Sequence, residues 1–336
     1  MAERMSRAAM IAAGIALLAA TFGYLLFWRT VPFEAMTADF RPLMTARSVA
    51  QIEADVQGLE AAAAEYRTAL IPTITARTGS SVDALRARLA RQYPAVTSGM
   101  DQIPRIAAGM RSLAATFESE RVRFAAADAI PSKGITTTAI PWLLTIAAAI
   151  AIVAGLSAAG SRGTAIAAVV AGVMLAAAPL LLSMPSKAAA ADRLNDNLAP
   201  LFNTGRIVQT EQAVDILQAM AAELTTTMLP QISARLGLPP EQITPFFAQN
   251  FPALTAMVQT APEALARAEA IAHVHAGNQA RYEDIRPVSF RVLTWTSLGA
   301  GLTLIVAGSV ASGRAARIAA FEPGEGRRPG RRRVAA

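Results

Sequence analysis

GITTTAIPWLLTIAAAIAIVAGLSAAGSRGTAIAAVVAGVMLAAAPLLLSMPS, residues 134–186, holds a single charged side chain, Arg162, which divides two apolar runs, Gly134–Ser161 and Gly163–Ser186. At about 1.5 Å of rise per residue, either run crosses the roughly 30 Å of a bilayer's hydrocarbon core as a helix. Two such runs joined by so short a link predict a transmembrane hairpin.

Two further uncharged runs lie outside this stretch, Ala8–Trp28 and Val292–Gly313. The first is too long for a signal peptide and has no small-x-small cleavage site. It ends in Phe22, Tyr24, Phe27 and Trp28, so it reads as an anchor with an aromatic belt. A composition that is 53% hydrophobic and only 16% charged agrees with a membrane class. None of the four runs contains Asp, Glu, Lys, Arg or His, which argues against a self-sufficient ion-coupled transporter.

The net charge of +7 is explained by its placement. Residues 29–139 carry 13 basic and 11 acidic side chains, residues 184–291 carry 8 and 10, and the remainder carries 10 and 3. The excess sits at Arg4, Arg7, Arg162, Arg314, Arg317 and the cluster from Arg327 to Arg333. Arginine beside the ends of spans sets orientation, so both termini and the Arg162 link are expected in the cytoplasm, with no nucleic-acid partner implied. The predicted organisation is therefore spans at 8–28, 140–160, 164–184 and 292–313, extracytoplasmic helical domains at 29–133 and 185–291, and a basic cytoplasmic tail at 314–336. This is a multi-pass protein of the cell membrane, in contact with membrane lipids. Arginine almost replaces lysine, a hint of GC-rich coding and a bacterial source.

The two loops are related. Shifted by 158 positions, residues 42–104 align with 200–262 without a gap, and 21 of the 63 positions are identical. Six identities are alanines. Pro42, Pro72, Pro94 and Pro104 fall on Pro200, Pro230, Pro252 and Pro262, and Glu53, Glu65, Arg77 and Gly79 recur as Glu211, Glu223, Arg235 and Gly237. Dropping about five residues from the second membrane-proximal linker brings Trp142 onto Trp295. The chain thus reads as two tandem parallel copies of one unit.

Within each copy the pattern is helical. Ile52, Val56, Leu59, Ala63, Tyr66 and Leu70 make one apolar seam, as do Thr210, Val214, Leu217, Ala221, Leu224 and Met228. Pro72 and Pro230 interrupt these helices. Gly79 or Gly237 closes a short turn, and Ser80–Asp83 or Pro239–Glu241 starts another helix, which stops before Pro94 or Pro252. A return helix carries Ile106, Met110, Leu113, Phe117 and Phe124. No segment alternates with period two. The expected fold class is all-α: four transmembrane helices with two homologous helical hairpins, which bury enough apolar surface only by packing together. Small residues four apart, Ala12, Ala16 and Ala20, then Ala151, Gly155 and Ala159, then Ala168, Gly172 and Ala176, are expected to let spans approach closely.

Signals for chemistry are few. The chain has no cysteine, no Walker-type loop, no GxSxG and no HEXXH, so no enzyme, cofactor or metal site is expected. His273 and His275, two apart, point to different helix faces, unlike an i, i+4 ligand pair. His275 replaces Phe117 in the return seam, with Asn278 three residues on. This polar seam reads as a register-fixing layer or, more sharply, as a ligand or proton-sensing site. The run Gln242–Pro262 carries no charge and contains Phe246, Phe247 and Phe251, where the first copy has Arg88 in line with Phe246. These rings read either as core or as an exposed or groove-lining surface for a partner or lipid tail.

The segment from Ile71-Pro72 to Gly79, leading to Tyr93-Pro94-Ala95-Val96, with Phe124 to Pro131 before the second span, resembles multi-spanning membrane proteins of high-GC Gram-positive bacteria with helical extracytoplasmic domains. The resemblance implies no activity. Two functions fit: a structural component whose external stalk docks or senses an envelope protein partner or a second copy, or an accessory subunit binding lipid or another apolar ligand for an envelope transport system.

Overall fold

The computed structural model describes residues 2–132, 134–157, 162–236 and 240–321. Gly237, Pro239, Ala159 and the Arg327–Arg333 cluster lie outside them. The described residues are almost entirely helical, without a strand, and four helical segments are long and apolar enough to cross a membrane. In chain order the helices are α1 (Ala2–Gly23), α2 (Leu26–Phe40), α3 (Ala46–Glu65), α4 (Ile71–Thr78), α5 (Val82–Gln92), α6 (Pro94–Asp128) and α7 (Ala139–Leu156), then α8 (Arg162–Leu181), α9 (Met184–Leu198), α10 (Thr204–Glu223), α11 (Leu229–Leu236), α12 (Pro240–Asn250), α13 (Pro252–Ile285) and α14 (Phe290–Phe321). The bounds of α9, α10, α11 and α12 lie 158 residues beyond those of α2, α3, α4 and α5.

Local chemistry accounts for these elements. Thr45 caps α3 by accepting from Ser48 N at 3.1 Å, and Asn203 caps α10 by accepting from Gly205 N at 2.8 Å. The interruptions expected at Pro72 and Pro230 take the form of π-helical turns, Tyr66–Leu70 and Leu224–Met228. Ile71 N–H donates to Tyr66 O and Leu229 N–H to Leu224 O, so the extra residue makes room for the proline ring without ending the helix. Gly79 closes α4 in the left-handed region at φ +64°, and Ser81 caps α5 by accepting from Ala84 N.

The chain forms two compact units. The first comprises Met1–Glu34, Ala129–Asp192 and Ile285–Ala336 and contains the apolar helices α1, α7, α8 and α14. Here α1 packs on α7 and α14, and α8 packs on α14 and α7. Small residues permit it. A Cβ on Gly172 would lie 2.6 Å from Gly301 O, and one on Gly301 would lie 2.8 Å from Gly172 O, so these two backbones touch. Ala151, Gly155, Ala168, Gly172 and Ala176 are buried as expected. On α1 the expectation fails: Ala12 and Ala16 are exposed, while Met10, Ala13, Gly14 and Leu17 face inward. The bulkier Met10 and Leu17 bury more apolar area than an alanine face would.

α1 ends at Gly23, Leu25 is left-handed at φ 52°, and α2 then starts at Leu26, inside the run 8–28 read from sequence as the first span. Ser183, 158 residues on, repeats the conformation at φ 54° between α8 and α9.

The second unit comprises Ala35–Asp128 and Arg193–Asp284, so both predicted external segments share one unit. Its core joins Tyr66, Leu70, Tyr93, Val96, Met100 and Ile103 from the first segment to Leu217, Leu224, Met228, Phe251 and Leu254 from the second. Two polar contacts cross it reciprocally. Glu65 accepts from Leu254 N at 2.7 Å, and Glu223 accepts from Val96 N at 2.7 Å. α6 and α13 begin with proline, preceded by Tyr93 and Phe251, which offer no side-chain acceptor to the free third-residue N–H. Each segment's glutamate supplies that acceptor to the other's helix.

Candidate functional site

Phe246 and Phe247 lie on α12, and Phe251 follows it. Phe247 and Phe251 are buried in the core, with ring centroids 5.6 Å apart. Neither ring is exposed, because both pack with Leu254 in that core. Phe246 is half-buried on the rim of that core, and the Arg77 guanidinium sits 5.7 Å from its ring centroid. Phe247 does line a groove, a cavity of about 180 Å³ with Tyr66, Leu70, Leu224, Leu254 and Val258.

A second cavity of about 280 Å³ adjoins it, sharing Leu224 and Val258. Leu59 of α3, Leu217 and Met220 of α10, and Met257 and Leu265 of α13 form its apolar wall. At its rim Arg267 donates to Asp55 through Nε at 2.9 Å and Nη2 at 2.7 Å. This fork, with the carboxylate beside it, holds the guanidinium pKa above its ordinary value. The two segments differ here. Arg67 reaches across the first segment to donate to Met100 O at 3.1 Å. The aligned positions are Thr225 and Val258, and Thr225 bonds back to Ala221 O at 2.8 Å instead. A threonine cannot span the groove that an arginine spans, and it leaves a chamber walled by leucine and methionine.

His275 and Asn278, read from sequence as a polar seam, are both buried on α13. His273 is exposed and His275 buried, on different faces as their spacing implied. The His275 ring stacks on Phe117 at 6.1 Å and 9° and meets Phe40 edge-on at 5.6 Å. Its Nδ1 lies 2.9 Å from Ile271 O. A carbonyl only accepts, so Nδ1 carries the proton and Nε2 holds the lone pair. Nε2 has no protein partner. Burial pushes the pKa below the usual histidine range, partly offset by the Ile271 carbonyl.

Asn278 donates to Asp39 at 3.0 Å, and Arg281 donates to Asp39 at 2.6 Å and to Asn278 Oδ1 at 2.9 Å. An equivalent triad forms around Glu120 of α6, which accepts from Arg123 at 2.6 Å and from Asn197 of α9 at 2.8 Å. Positions 120, 123 and 197 correspond to 278, 281 and 39 at the 158-residue offset, so acid and amide have exchanged places while arginine is kept. The reading of His275 and Asn278 from sequence missed Glu120, Asp39 and Asn197, all three lying outside the gapless alignment.

No protein-family model, no curated protein and no solved structure matches this chain.

Proposed function

We propose that this chain is a non-enzymatic integral membrane component of a bacterial envelope, built from two tandem copies, whose helical unit lies outside the membrane and holds an apolar, lipid-like ligand for a partner protein. The observation that carries this reading is the leucine- and methionine-walled cavity between α3, α10 and α13, which shares Leu224 and Val258 with the groove lined by Phe247. The duplication is supported by helix bounds that recur at one offset, by the paired left-handed residues Leu25 and Ser183, and by the reciprocal Glu65 and Glu223 contacts. Placement of both termini inside the cell follows from the arginines flanking the spans.

The polar triads fit a binding protein better than a catalyst. Each carboxylate accepts from an arginine and an amide of its own layer, which fixes register. A partner-docking scaffold without ligand is the second reading, supported by the half-buried Phe246 ring.

Purified in detergent, the full chain is expected to bind a fluorescent long-chain fatty acid. Thr225→Arg installs the side chain found at Arg67 and is expected to weaken binding roughly tenfold, equivalent to about two buried methylenes, with helical content unchanged. Unaltered binding by a folded Thr225→Arg protein would remove this cavity as the ligand site and leave the scaffold reading.

A further inference from the structure

The membrane unit has its own cavity, about 270 Å³, where α2, α7, α8 and α14 converge. Leu26, Leu143, Leu144, Pro179, Leu182 and Leu293 give it an apolar wall. Its size is near the ~300 Å³ lower end for ligand sites. Two polar groups break the wall. Arg29 lines it half-buried, with no hydrogen bond or ion pair to another described residue. Thr30 is buried, and its Oγ1 also lacks a protein partner. A buried unsatisfied hydroxyl beside an uncompensated cation is unfavourable unless a ligand oxygen completes both.

The position 158 residues on marks the difference. Lys187 there donates through Nζ to Ala129 O at 2.9 Å and Pro131 O at 3.1 Å, so its charge is already engaged within the protein. Depth in the bilayer is set by aromatic side chains. Trp28 adjoins Arg29, and Phe27 meets Trp142 edge-on at 5.1 Å. Trp28, Trp142 and Trp295 are all exposed, as in the girdles that mark the boundary between headgroups and hydrocarbon. Arg29 therefore stands at headgroup level, and the cavity runs from it toward the apolar side chains of the spans.

We propose that this cavity seats one acyl chain of an anionic phospholipid, whose phosphate accepts from the Arg29 guanidinium. The occupant is a lipid rather than a soluble anion because the wall beyond the arginine is apolar, formed by leucines of α2, α7 and α14. This site is separate from the ligand cavity of the helical unit and does not depend on it.

The test is native mass spectrometry of the full chain after exchange with vesicles of equimolar phosphatidylglycerol and phosphatidylcholine. One phosphatidylglycerol is expected to be retained with about fivefold preference, the effect of one basic side chain near anionic lipid. Arg29→Gln is expected to abolish the preference and Arg29→Lys to keep it, while Arg291→Gln, an exposed arginine outside the cavity, has no effect. Ala178→Phe, filling the cavity, is expected to lose both lipids. Equal retention of the two lipids by the unaltered chain, or an unchanged preference in Arg29→Gln, would overturn the proposal. Displacement of the lipid by millimolar inorganic phosphate alone would also overturn it, by showing an anion site without a seat for the chain. The two arginine variants decide the question even if Ala178→Phe does not fold.

Discussion

Replacing His275 with phenylalanine, the residue at the aligned position 117, tests whether the buried imidazole costs stability and makes it depend on pH. His275 is 4% exposed and its Nε2 has no protein partner. Leaving such an acceptor unsatisfied costs about 1–3 kcal/mol. The variant removes that cost and keeps a ring stacked on Phe117, but it loses the Nδ1 bond to Ile271 O, about 0.5–1.5 kcal/mol. A net gain of about 1 kcal/mol is expected at pH 7.5. Acidification widens the gap. The folded pKa of His275 lies below its ordinary value of 6.5, so below pH 6.5 the unfolded chain takes up a proton that the native ring refuses. Wild-type stability then falls as pH drops, down to the folded pKa, at no more than ~1.4 kcal/mol per pH unit. The phenylalanine variant lacks this contribution. Thermal unfolding followed by circular dichroism in detergent reads the difference, with about 2–4 °C per kcal/mol for a unit of this size. The variant's advantage is expected to be larger at pH 5.5 than at pH 7.5. Parallel curves at the two pH values, or a variant less stable at both, would refute the reasoning.

Three further outcomes are expected. Glu65→Gln replaces a charged acceptor at the start of α13 with a neutral one and is expected to lower stability by about 1 kcal/mol; Glu223→Gln, serving α6, should match it within error in chemical denaturation, and a large inequality would contradict the reciprocity. Gly301→Ala places a Cβ 2.8 Å from Gly172 O and is expected to cost about 1–3 kcal/mol in unfolding by sodium dodecyl sulfate, whereas Gly299→Ala, with nothing within 4 Å, should be neutral or slightly stabilising. A reporter fused after Ala336 is expected to be active only in the cytoplasm and one inserted near Ser81 only outside; the reverse at either place would invert the topology.

The spans were legible because charge is absent from them, and the seam from Ile52 to Leu70 because its spacing survives the π-turn. Leu25 and Ser183 were not legible: neither bend residue is a glycine, and leucine and serine have no preference for the left-handed region that would announce it in the sequence. The burial of Phe247 and Phe251 could have been anticipated from their aligned partners Leu89 and Tyr93, both apolar. Only Phe246 differs in kind from its counterpart, and only Phe246 stays partly exposed. The recurrence of Glu65 as Glu223 was visible, but its meaning required the fold, since each acts on a helix start in the other segment. The cavity differs between segments through Arg67 and Thr225, an exchange open to inspection in the alignment whose consequence appears only when α10 faces α13.

The crossed glutamates also bear on how the chain is made. Glu65 and the amide it serves, Leu254 N, are separated by 189 residues. At about 5–20 residues per second, a ribosome needs roughly 10–40 seconds to cover that interval. Throughout it the first segment's helices have emerged without their mate, and α7 and α8 are made before the mate can exist. Val96 N waits on Glu223 in the same way. Neither hairpin is a finished object, so assembly of this unit belongs to the end of synthesis, and a chain cut anywhere between α7 and α10 leaves a half with an uncapped helix and an open apolar seam for quality-control proteases to find.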